Sequence, residues 1–448
     1  MVSTPNKKQC RLTTEYLIQQ LNQLADQYKI KTWCLAYSGG VDSQVLLHLL
    51  SLSKLKVKAI YIDHGLQRQS TDWANHCSQQ CEQLTIPFQT IKVDASAARG
   101  ESPEAAARSA RYGALKKCMQ NNDCLLTAQH QDDQTETILL QLLRGAGAAG
   151  LSGMAEIAEF GNGWHARPLL DISQNQIMDY AKINNLSWVE DPSNQQVSYD
   201  RNYLRQTVMP ELQQRWPSLN KTLSVFASQQ AENAQLLNVL AEQDLSLSLV
   251  DESRLNIIQL NKLDDARLRN VLRYWIKSIN KAMPSRAVLE QVVQQIKKNS
   301  HDSAVLVSWA NVEIRCFRDE LFCLNKITHD ATQVYNWNVI DELDLISIEK
   351  KLVLKKIKTD NKNPYALNES LLTQEITVRF RQGGEKIKPA GRNGSHDLKS
   401  LFQEASVPAW ERDRIPLLFV DNELVAVVGY WIADSFSVKG EGVLPELI

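Results

Sequence analysis

Trp33-Cys34-Leu35-Ala36-Tyr37-Ser38-Gly39-Gly40-Val41-Asp42-Ser43 is the stretch whose reading decides the fold. An apolar run ends abruptly in Ser38-Gly39-Gly40, and a helix-compatible run, Gln44 to Leu50, follows Asp42-Ser43. That is a strand, a tight glycine turn and a helix N-terminus. The first backbone N–H groups of a helix have no partner within it and sit at the positive end of its dipole, so such a junction suits an anion. Two adjacent glycines let the main chain approach a phosphate with no Cβ in the way. Ser38 and Ser43 add hydroxyl donors. Asp42 would repel a phosphate unless a hard cation, Mg²⁺ by the chemistry of oxygen ligands, lies between them. A plain strand–helix connection with Asp42 as a cap would use the same residues.

Working outward, Val57–Ile62, Phe88–Val93 and Cys124–Ala128 are further strands. Between them lie helical patterns at Gln44–Leu52, Asp72–Leu84, Pro103–Met119 and Asp132–Leu143, after a leader helix at Thr13–Gln27. Near-continuous apolar strands alternating with helices predict an α/β fold, a doubly wound parallel sheet covered on both faces. Ligands in such folds bind beyond the C-terminal ends of the strands. Ser38, His64 and Gln129-His130 all fall at those ends, so a single site is expected there.

The helix opening at Pro103, with Ser102 as its cap, carries Arg108 and Arg111 on one face, within reach of phosphates; a solvated Glu104–Arg108 pair is the plainer reading. In Gln129-His130-Gln131-Asp132-Asp133-Gln134-Thr135-Glu136, Asp133 and Glu136 are three apart and Asp132 and Glu136 four apart. Carboxylates converging beside a phosphate site would hold Mg²⁺ or a cationic substrate, although acids at a helix start are common in any case. Arg144-Gly-Ala-Gly-Ala-Ala-Gly150 matches G-x-G-x-x-G but follows a helix rather than a strand, which excludes a dinucleotide fingerprint and favours a loop over the site or a helix C-cap turn. His165–Pro168 reads as an edge strand and Ile172–Asn185 as a helix. The segment Trp188-Val-Glu-Asp191-Pro-Ser-Asn194, then Tyr199-Asp-Arg201-Asn202-Tyr-Leu-Arg205, offers turn residues and paired arginines for phosphate, or a surface turn into an amphipathic helix.

From about Leu219 the texture changes. Long helical patterns at Leu219–Leu247, Asp264–Asn280 (with Arg267, Arg269 and Arg273) and Arg286–Lys298 precede short strands near Ala304–Trp309, Val312–Phe317 and Leu321–Leu324. Residues 359–375 are polar and irregular and read as linker. A strand at Ile376–Phe380, a basic turn from Arg381 to Lys388, a helix at Asp397–Glu404 and a hairpin around Asp421-Asn422 follow. The resulting expectation is an α/β domain at 1–215, a mostly helical domain at 216–330, a linker region at 331–375 and a small α+β domain at 376–448. Between Arg379 and Arg414 eight Lys/Arg face five Asp/Glu, an excess too modest to separate an RNA surface, with Phe402, Trp410 and Tyr430 as aromatics, from ordinary solvated charge.

Bulk properties set limits. The 448 residues favour about three domains. Fifty Lys/Arg nearly cancel 51 Asp/Glu, so no global field advertises nucleic acid and any basic surface is local. Lys7 and Lys8 lead into a Gln-rich segment with no apolar signal core, and the longest apolar stretch, near Leu424–Ala433, is too short to span a bilayer. Eight scattered cysteines indicate a reducing compartment, so a cytoplasmic protein away from membranes is expected. Cys77 and Cys81 lack a CxxC spacing and read as structural helix residues. His48, His301 and His329 have no partners to argue from.

Taken together, the motifs resemble a known family. Ser38-Gly39-Gly40-Val41-Asp42-Ser43 is similar to the PP-loop of ATP pyrophosphatases and is not a Walker A loop. The further set narrows the choice: Asp63-His64-Gly65-Leu66, Glu104-Ala-Ala-Ala-Arg108-Ser-Ala-Arg111-Tyr112, Thr127-Ala-Gln-His130-Gln-Asp132-Asp133-Gln-Thr-Glu136, and Arg144 to Leu151. With Asp191-Pro-Ser-Asn194 before Tyr199-Asp-Arg201-Asn202, these resemble the tRNA(Ile)-lysidine synthetase family in its long bacterial form. Residues 379–431 resemble that family's C-terminal domain.

The resemblance implies a two-step ligation. ATP adenylates the C2 oxygen of the wobble cytidine in a CAU anticodon, releasing pyrophosphate; the amine of free L-lysine then attacks C2 and expels AMP. Decoding changes from AUG to AUA and charging from Met to Ile. Carried onto this chain, residues 38–43 grip ATP and stabilise the departing pyrophosphate. Asp42 positions Mg²⁺, Arg108 lies near phosphate or the target nucleotide, and Asp133 and Glu136 hold the substrate lysine. Gln129 stands where many members carry a second His, and Gln67 precedes Arg68 where an Arg often follows the Leu directly. These departures leave the roles of His64, Arg68, Arg111, His130 and Asp132 open. No stable protein partner is expected, and homodimerisation stays open. Two rivals remain on sequence grounds. One is another PP-loop enzyme such as a tRNA thiolase, although the CxxC-type ligands of iron–sulfur members are absent. The other is a non-catalytic tRNA-binding module, against which the intact loop and acids argue.

Overall fold

The computed structural model describes residues 12–65, 70–94, 96, 103–192, 199–298, 306–326, 329–338, 341–360 and 364–448. Lys7, Lys8, Leu66, Gln67, Arg68, Ser102, Ser193, Asn194, His301 and Ala304 lie outside these residues, as does the side chain of Glu104. The chain divides into two compact units at Val239/Leu240.

The first unit alternates as predicted: α1 (Thr14–Tyr28), β1 (Thr32–Ala36), α2 (Val41–Ser51), β2 (Val57–Asp63), α3 (Ser70–Gln83), β3 (Phe88–Lys92), α4 (Pro103–Lys117), β4 (Asp123–Leu126) and α5 (Gln131–Leu143). It continues through α6 (Ala148–Leu151), β5 (Ile157–Phe160), β6 (Gly163–Ala166), α7 (Gln174–Ile183), α8 (Asp200–Tyr203) and α9 (Met209–Arg215) into the long α10 (Leu219–Ser248). The six-stranded sheet has the order β3-β2-β1-β4-β6-β5. Strands β1–β4 and β6 are parallel, and β5 pairs antiparallel with β6. Both faces are covered, and strand alternation assigns them. Trp33, Leu35, Cys124 and Leu126 join the core under α1, α2 and α7, whereas Cys34, Ile60, Ile62 and Leu125 join the one containing Leu115 of α4 and Met119 just beyond its end. Strand order reverses between β1 and β4, which opens a crevice above their C-terminal ends.

One expectation is corrected here, and of the two forms expected for the Gly-rich run after α5 the second is found. The strand expected at His165–Pro168 is β6, one in from the edge, because Gly161 (φ +62°) turns the chain back from β5, which takes the edge. The Gly-rich run after α5 is a helix C-cap: Gly145 (φ +71°) follows the cap residue, with Gly145 N–H donating to the Leu142 carbonyl and Ala146 N–H to that of Gln141.

In the second unit, α11 (Asp265–Ser278) and α12 (Arg286–Lys298) bury Leu268, Val271, Leu272, Trp275 and Ile276 with Leu289, Val292, Val293 and Ile296. That stripe recurs every three to four residues, the spacing of one helix face. It packs with an antiparallel sheet ordered β7-β8-β11-β10-β9, made by Leu249–Asp251, Arg254–Asn256, Glu320–Asn325, Val312–Phe317 and Leu306–Trp309. The span expected as linker, 331–375, is instead part of the C-terminal sheets. β12 (Val334–Trp337) pairs with β15 (Ile376–Arg379), while β13 (Leu343–Leu345) and β14 (Lys350–Lys358) build onto β16 (Glu441–Leu447). Lys-Lys-Leu-Val-Leu-Lys-Lys-Ile-Lys reads as polar because only Leu352 along it is buried, the lysines facing outward. Among the described residues no helix is long and apolar enough to cross a membrane.

Candidate active site

At the β1–β4 crevice lies a cavity of about 390 Å³. Ser38, Gly40, Asp42 and Ser43 line one wall, Asp133 and Asp191 extend it, and Arg108, Arg111, Tyr112 and Gln129 stand on another. The sequence-predicted loop, the α4 arginines and one of the α5 acids therefore meet in one place.

The loop is built for close approach. Gly40 is the N-cap of α2 and brings no side-chain bond, which leaves the first-turn amides unclaimed by a cap. Gly39 adopts φ +79°, and a Cβ there would stand 2.9 Å from Cys77 Sγ, so both conformation and space demand glycine. Ser43 Oγ ties the turn: it donates to the Gly40 carbonyl at 2.9 Å, accepts from Ser38 N–H at 3.3 Å and meets Ser38 Oγ at 3.1 Å. The Gly39 carbonyl accepts from Val189 N–H at 2.9 Å, so the segment singled out around Trp188–Asp191 buttresses the loop. Val41, half-buried, packs on the core beneath. Cys77 and Cys81 are free and fully buried, as structural residues of α3.

Asp42 opens α2 and faces the start of α5, where buried His130 stands between two acids. Its Nε2 is 3.3 Å from Asp133 Oδ2 and 3.8 Å from Asp42 Oδ2. Burial pushes the Asp42 carboxyl up, with Asp133 and Asp132 adding to the rise and His130 and Arg205 opposing it. Asp42 Oδ1 is enclosed yet has no hydrogen-bond partner. A buried, unsatisfied carboxylate oxygen beside a glycine turn fits a hard cation that keeps waters and phosphate oxygens as its other ligands.

The three acids of α5, equivalent in the sequence, have separate environments. Asp132 is tied into the scaffold: its carboxylate accepts from Gln174 N–H at the start of α7 (2.9 Å), Asn220 Nδ2 (2.8 Å) and Gln213 Nε2 (3.2 Å). Glu136, 1% exposed, is clamped by Arg201 Nε at 2.9 Å and by Arg205 through Nε at 2.6 Å and Nη2 at 2.9 Å. It does not line the cavity. Asp133 does, and it shares the same arginines, with Arg205 Nη2 at 2.8 Å and Arg201 Nη2 at 3.3 Å, and accepts from His130 N–H at 3.1 Å. Burial alone would raise the Asp133 carboxyl; His130, Arg201 and Arg205 outweigh it and hold the group below its ordinary value. The arginines expected to reach phosphate are thus engaged by α5. Pro210, which has no N–H to offer the carbonyl four residues back, follows a single π turn at Leu204–Val208 that carries Arg205.

Elsewhere on the lining Arg108 packs over the Tyr112 ring at 4.9 Å. Arg111 Nε donates to His64 Nε2 at 3.2 Å, which brings the β2 end into the site. Sequence reading did not single out Tyr37, whose hydroxyl bonds Gln44, or His165, buried beside Thr127. In the second unit, Arg267 pairs with buried Asp244 and Arg269 with Glu290. The basic turn is also matched: Arg381 with Asp413, Lys388 with Asp434 and Arg392 with Glu404.

Comparison with known proteins identifies the family. A PP-loop domain family matches residues 13–212, a TilS substrate binding domain family residues 255–322 and a TilS substrate C-terminal domain family residues 376–444. A tRNA(Ile)-lysidine synthase of Coxiella burnetii is 42% identical over 437 residues, covering 96% of this chain and 95% of that protein. One of Methylococcus capsulatus is 36% identical over 425 residues, covering 92% and 94%.

Proposed function

Since the chain belongs to the tRNA(Ile)-lysidine synthase family, we propose that the β1–β4 cavity is where it builds lysidine. The protein is a ligase that uses ATP to join L-lysine to C2 of the wobble cytidine in the CAU anticodon of tRNA(Ile), through an adenylated cytidine. The observation that carries the site assignment is the convergence in one cavity of a capless glycine turn, two enclosed carboxylates and a guanidinium wall.

In the proposed mechanism, residues 38–43 grip the β- and γ-phosphates with backbone N–H groups and the Ser38 and Ser43 hydroxyls, and they stabilise the charge of the pyrophosphate as it leaves. Asp42 would hold Mg²⁺, which supplies neutralisation of phosphate charge when bound. Arg108 and Arg111 face the acceptor oxygens of ATP or of the target nucleotide. Asp133 receives the ammonium of free lysine. Glu136 acts behind it, holding Arg201 and Arg205 so that Asp133 stays ionised and aimed at the cavity. We assign tRNA binding to residues 216–330 and 376–448 and place the protein in the cytoplasm, in keeping with cysteines that are all free among the described residues.

The test incubates the full chain with tRNA(Ile) of CAU anticodon, Mg²⁺, ATP and radiolabelled lysine. ATP-dependent label in the tRNA is expected. Correctly folded protein that gives none would overturn the reading.

A further inference from the structure

Behind the donor wall runs a buried hydrogen-bonded chain whose polarity can be worked out from one end. Arg167 Nη2 lies 3.1 Å from His165 Nδ1. A guanidinium only donates, so Nδ1 is the unprotonated nitrogen of the ring. Burial, with Arg167 and Arg108 adding, holds the imidazole neutral, pushing it down to about 3, so Nε2 carries the hydrogen. Nε2 lies 2.8 Å from Thr127 Oγ1 and donates to it. The Thr127 hydroxyl must then give its own hydrogen onward, and its contact is Gln129 Oε1. The Gln129 carbonyl is thereby occupied and its amide nitrogen is turned toward Tyr112 Oη, 3.4 Å away. Tyr112 accepts and retains its own hydrogen to donate. His165 and Thr127 are 4% and 8% exposed, so water does not compete for these bonds. A second bond, Arg167 Nη1 to the Ala155 carbonyl at 2.7 Å, fixes the guanidinium that starts the chain.

We propose that Arg167, His165 and Thr127 are positioning residues that fix which way round the Gln129 carboxamide sits. Gln129 and Tyr112, with Arg108 and Arg111, then form an all-donor wall for an acceptor-rich group of a nucleotide, phosphate oxygen or base carbonyl. Without the relay a Gln amide can turn over at little cost and present its carbonyl, which would repel the same ligand atoms. The inference rests on the proposed function for the identity of the nucleotides, ATP and the tRNA cytidine, but the polarity of the chain follows from the donors alone.

Thr127→Val keeps the shape and removes the hydroxyl, Thr127→Ser keeps the hydroxyl, and Gln129→Glu leaves only acceptors at position 129. Steady-state lysine transfer by the full chain is measured with ATP and tRNA varied in turn. Thr127→Val is expected to raise one of the two KM values about fivefold to tenfold, the effect of one misplaced buried hydrogen bond, with kcat within about threefold and the shape of the pH profile unchanged. Thr127→Ser restores the KM, and Gln129→Glu raises the same KM at least as far. A rise for ATP places its phosphates or base on the wall; a rise for tRNA places the cytidine there. Unchanged KM values for both substrates, or a fall in kcat that Thr127→Ser does not rescue, would overturn the proposal. If wild-type protein transfers no lysine, the proposed function fails separately. Equilibrium binding of ATP and of tRNA to wild type and Thr127→Val then gives the same comparison, with equal affinities counting against the relay.

Discussion

Glu136→Gln is the substitution that most directly separates a substrate-binding acid from a supporting one. The carboxylate is buried and accepts three charge-assisted bonds, from Arg201 Nε and from Arg205 Nε and Nη2. Glutamine keeps the volume but removes the charge and offers one carbonyl oxygen, so a guanidinium loses its main partner in a poorly solvated place. Removing one member of a buried ion pair costs about 3–5 kcal/mol. Arg201 and Arg205 are 28% and 36% exposed and can partly recover water, which puts the expectation near the low end, about 3 kcal/mol. For a unit of this size that is a fall in Tm of roughly 6–12 °C, read by calorimetry on the full chain. Adding Arg205→Met removes the stranded charge, so the double variant should be more stable than the sum of the singles by on the order of 1–2 kcal/mol. Below the melting transition, tRNA-dependent pyrophosphate release should largely persist while lysine incorporation falls, because Asp133 loses its alignment. A shift in Tm under about 1 °C together with abolished lysine incorporation would refute this account and make Glu136 a direct ligand of lysine.

Three more expectations follow from the same cavity. Gly39→Ala should lower stability by about 1–2 kcal/mol from the left-handed backbone alone, plus a contact cost against Cys77 Sγ; Cys77→Ala in that background should recover only the contact part, and no recovery in a melting experiment would show that the contact is not felt. Asp42→Asn should raise Tm in metal-free buffer, since it removes a carboxylate whose ionisation burial opposes, and should abolish the added stabilisation by Mg²⁺ with ATP; unchanged Mg²⁺-dependent stabilisation would exclude Asp42 as the metal-linked residue. For His165 the folded value, about 3, lies below the ordinary 6.5, so its contribution is full above about pH 6.5 and is lost as pH falls through that window. Between pH 7.5 and pH 5 wild type should lose about 2 kcal/mol that His165→Gln does not, and a stability gap in urea that fails to narrow would contradict a buried neutral imidazole.

What the sequence disclosed and what it concealed divide by the range of the interaction. The loop at Ser38–Ser43, the strands at Val57 and Val312 and the helix at Arg286 are written in local periodicity and turn chemistry, and they stand where expected. The α5 acids were legible as a cluster, yet their separate fates were not. Arg201 and Arg205 reach Glu136 across more than sixty residues, and Asp132 meets Asn220 across 88. His165 gave no signal because a single histidine in a short strand has no period; its meaning appears only once β6 lies beside β4, Leu125 opposite His165. β14 was lost for a related reason, since a strand with one buried residue among lysines does not alternate clearly.

The charge layout of the cavity bears on how the proposed site would serve two opposite ligands in turn. Around the α2 and α5 N-termini four carboxylates (Asp42, Asp132, Asp133 and Glu136) meet two guanidinia, Arg201 and Arg205, so this side keeps a net negative charge that attracts cations. Elsewhere the lining offers Arg108, Arg111 and the Tyr112 hydroxyl and attracts acceptors. In the proposed sequence the first step needs both sides, because polyphosphate must be neutralised near the acids while the nucleotide is held by donors. If pyrophosphate leaves together with the divalent cation that neutralised it, the acid side would be uncompensated, and the ammonium of lysine is the next cation that fits. A uniformly basic cavity would hold ATP more tightly but would retain pyrophosphate and repel lysine. The two arginines set the remaining charge between these failures: enough to keep Asp133 ionised beside Asp42, and too little to cancel the field that draws the second substrate in.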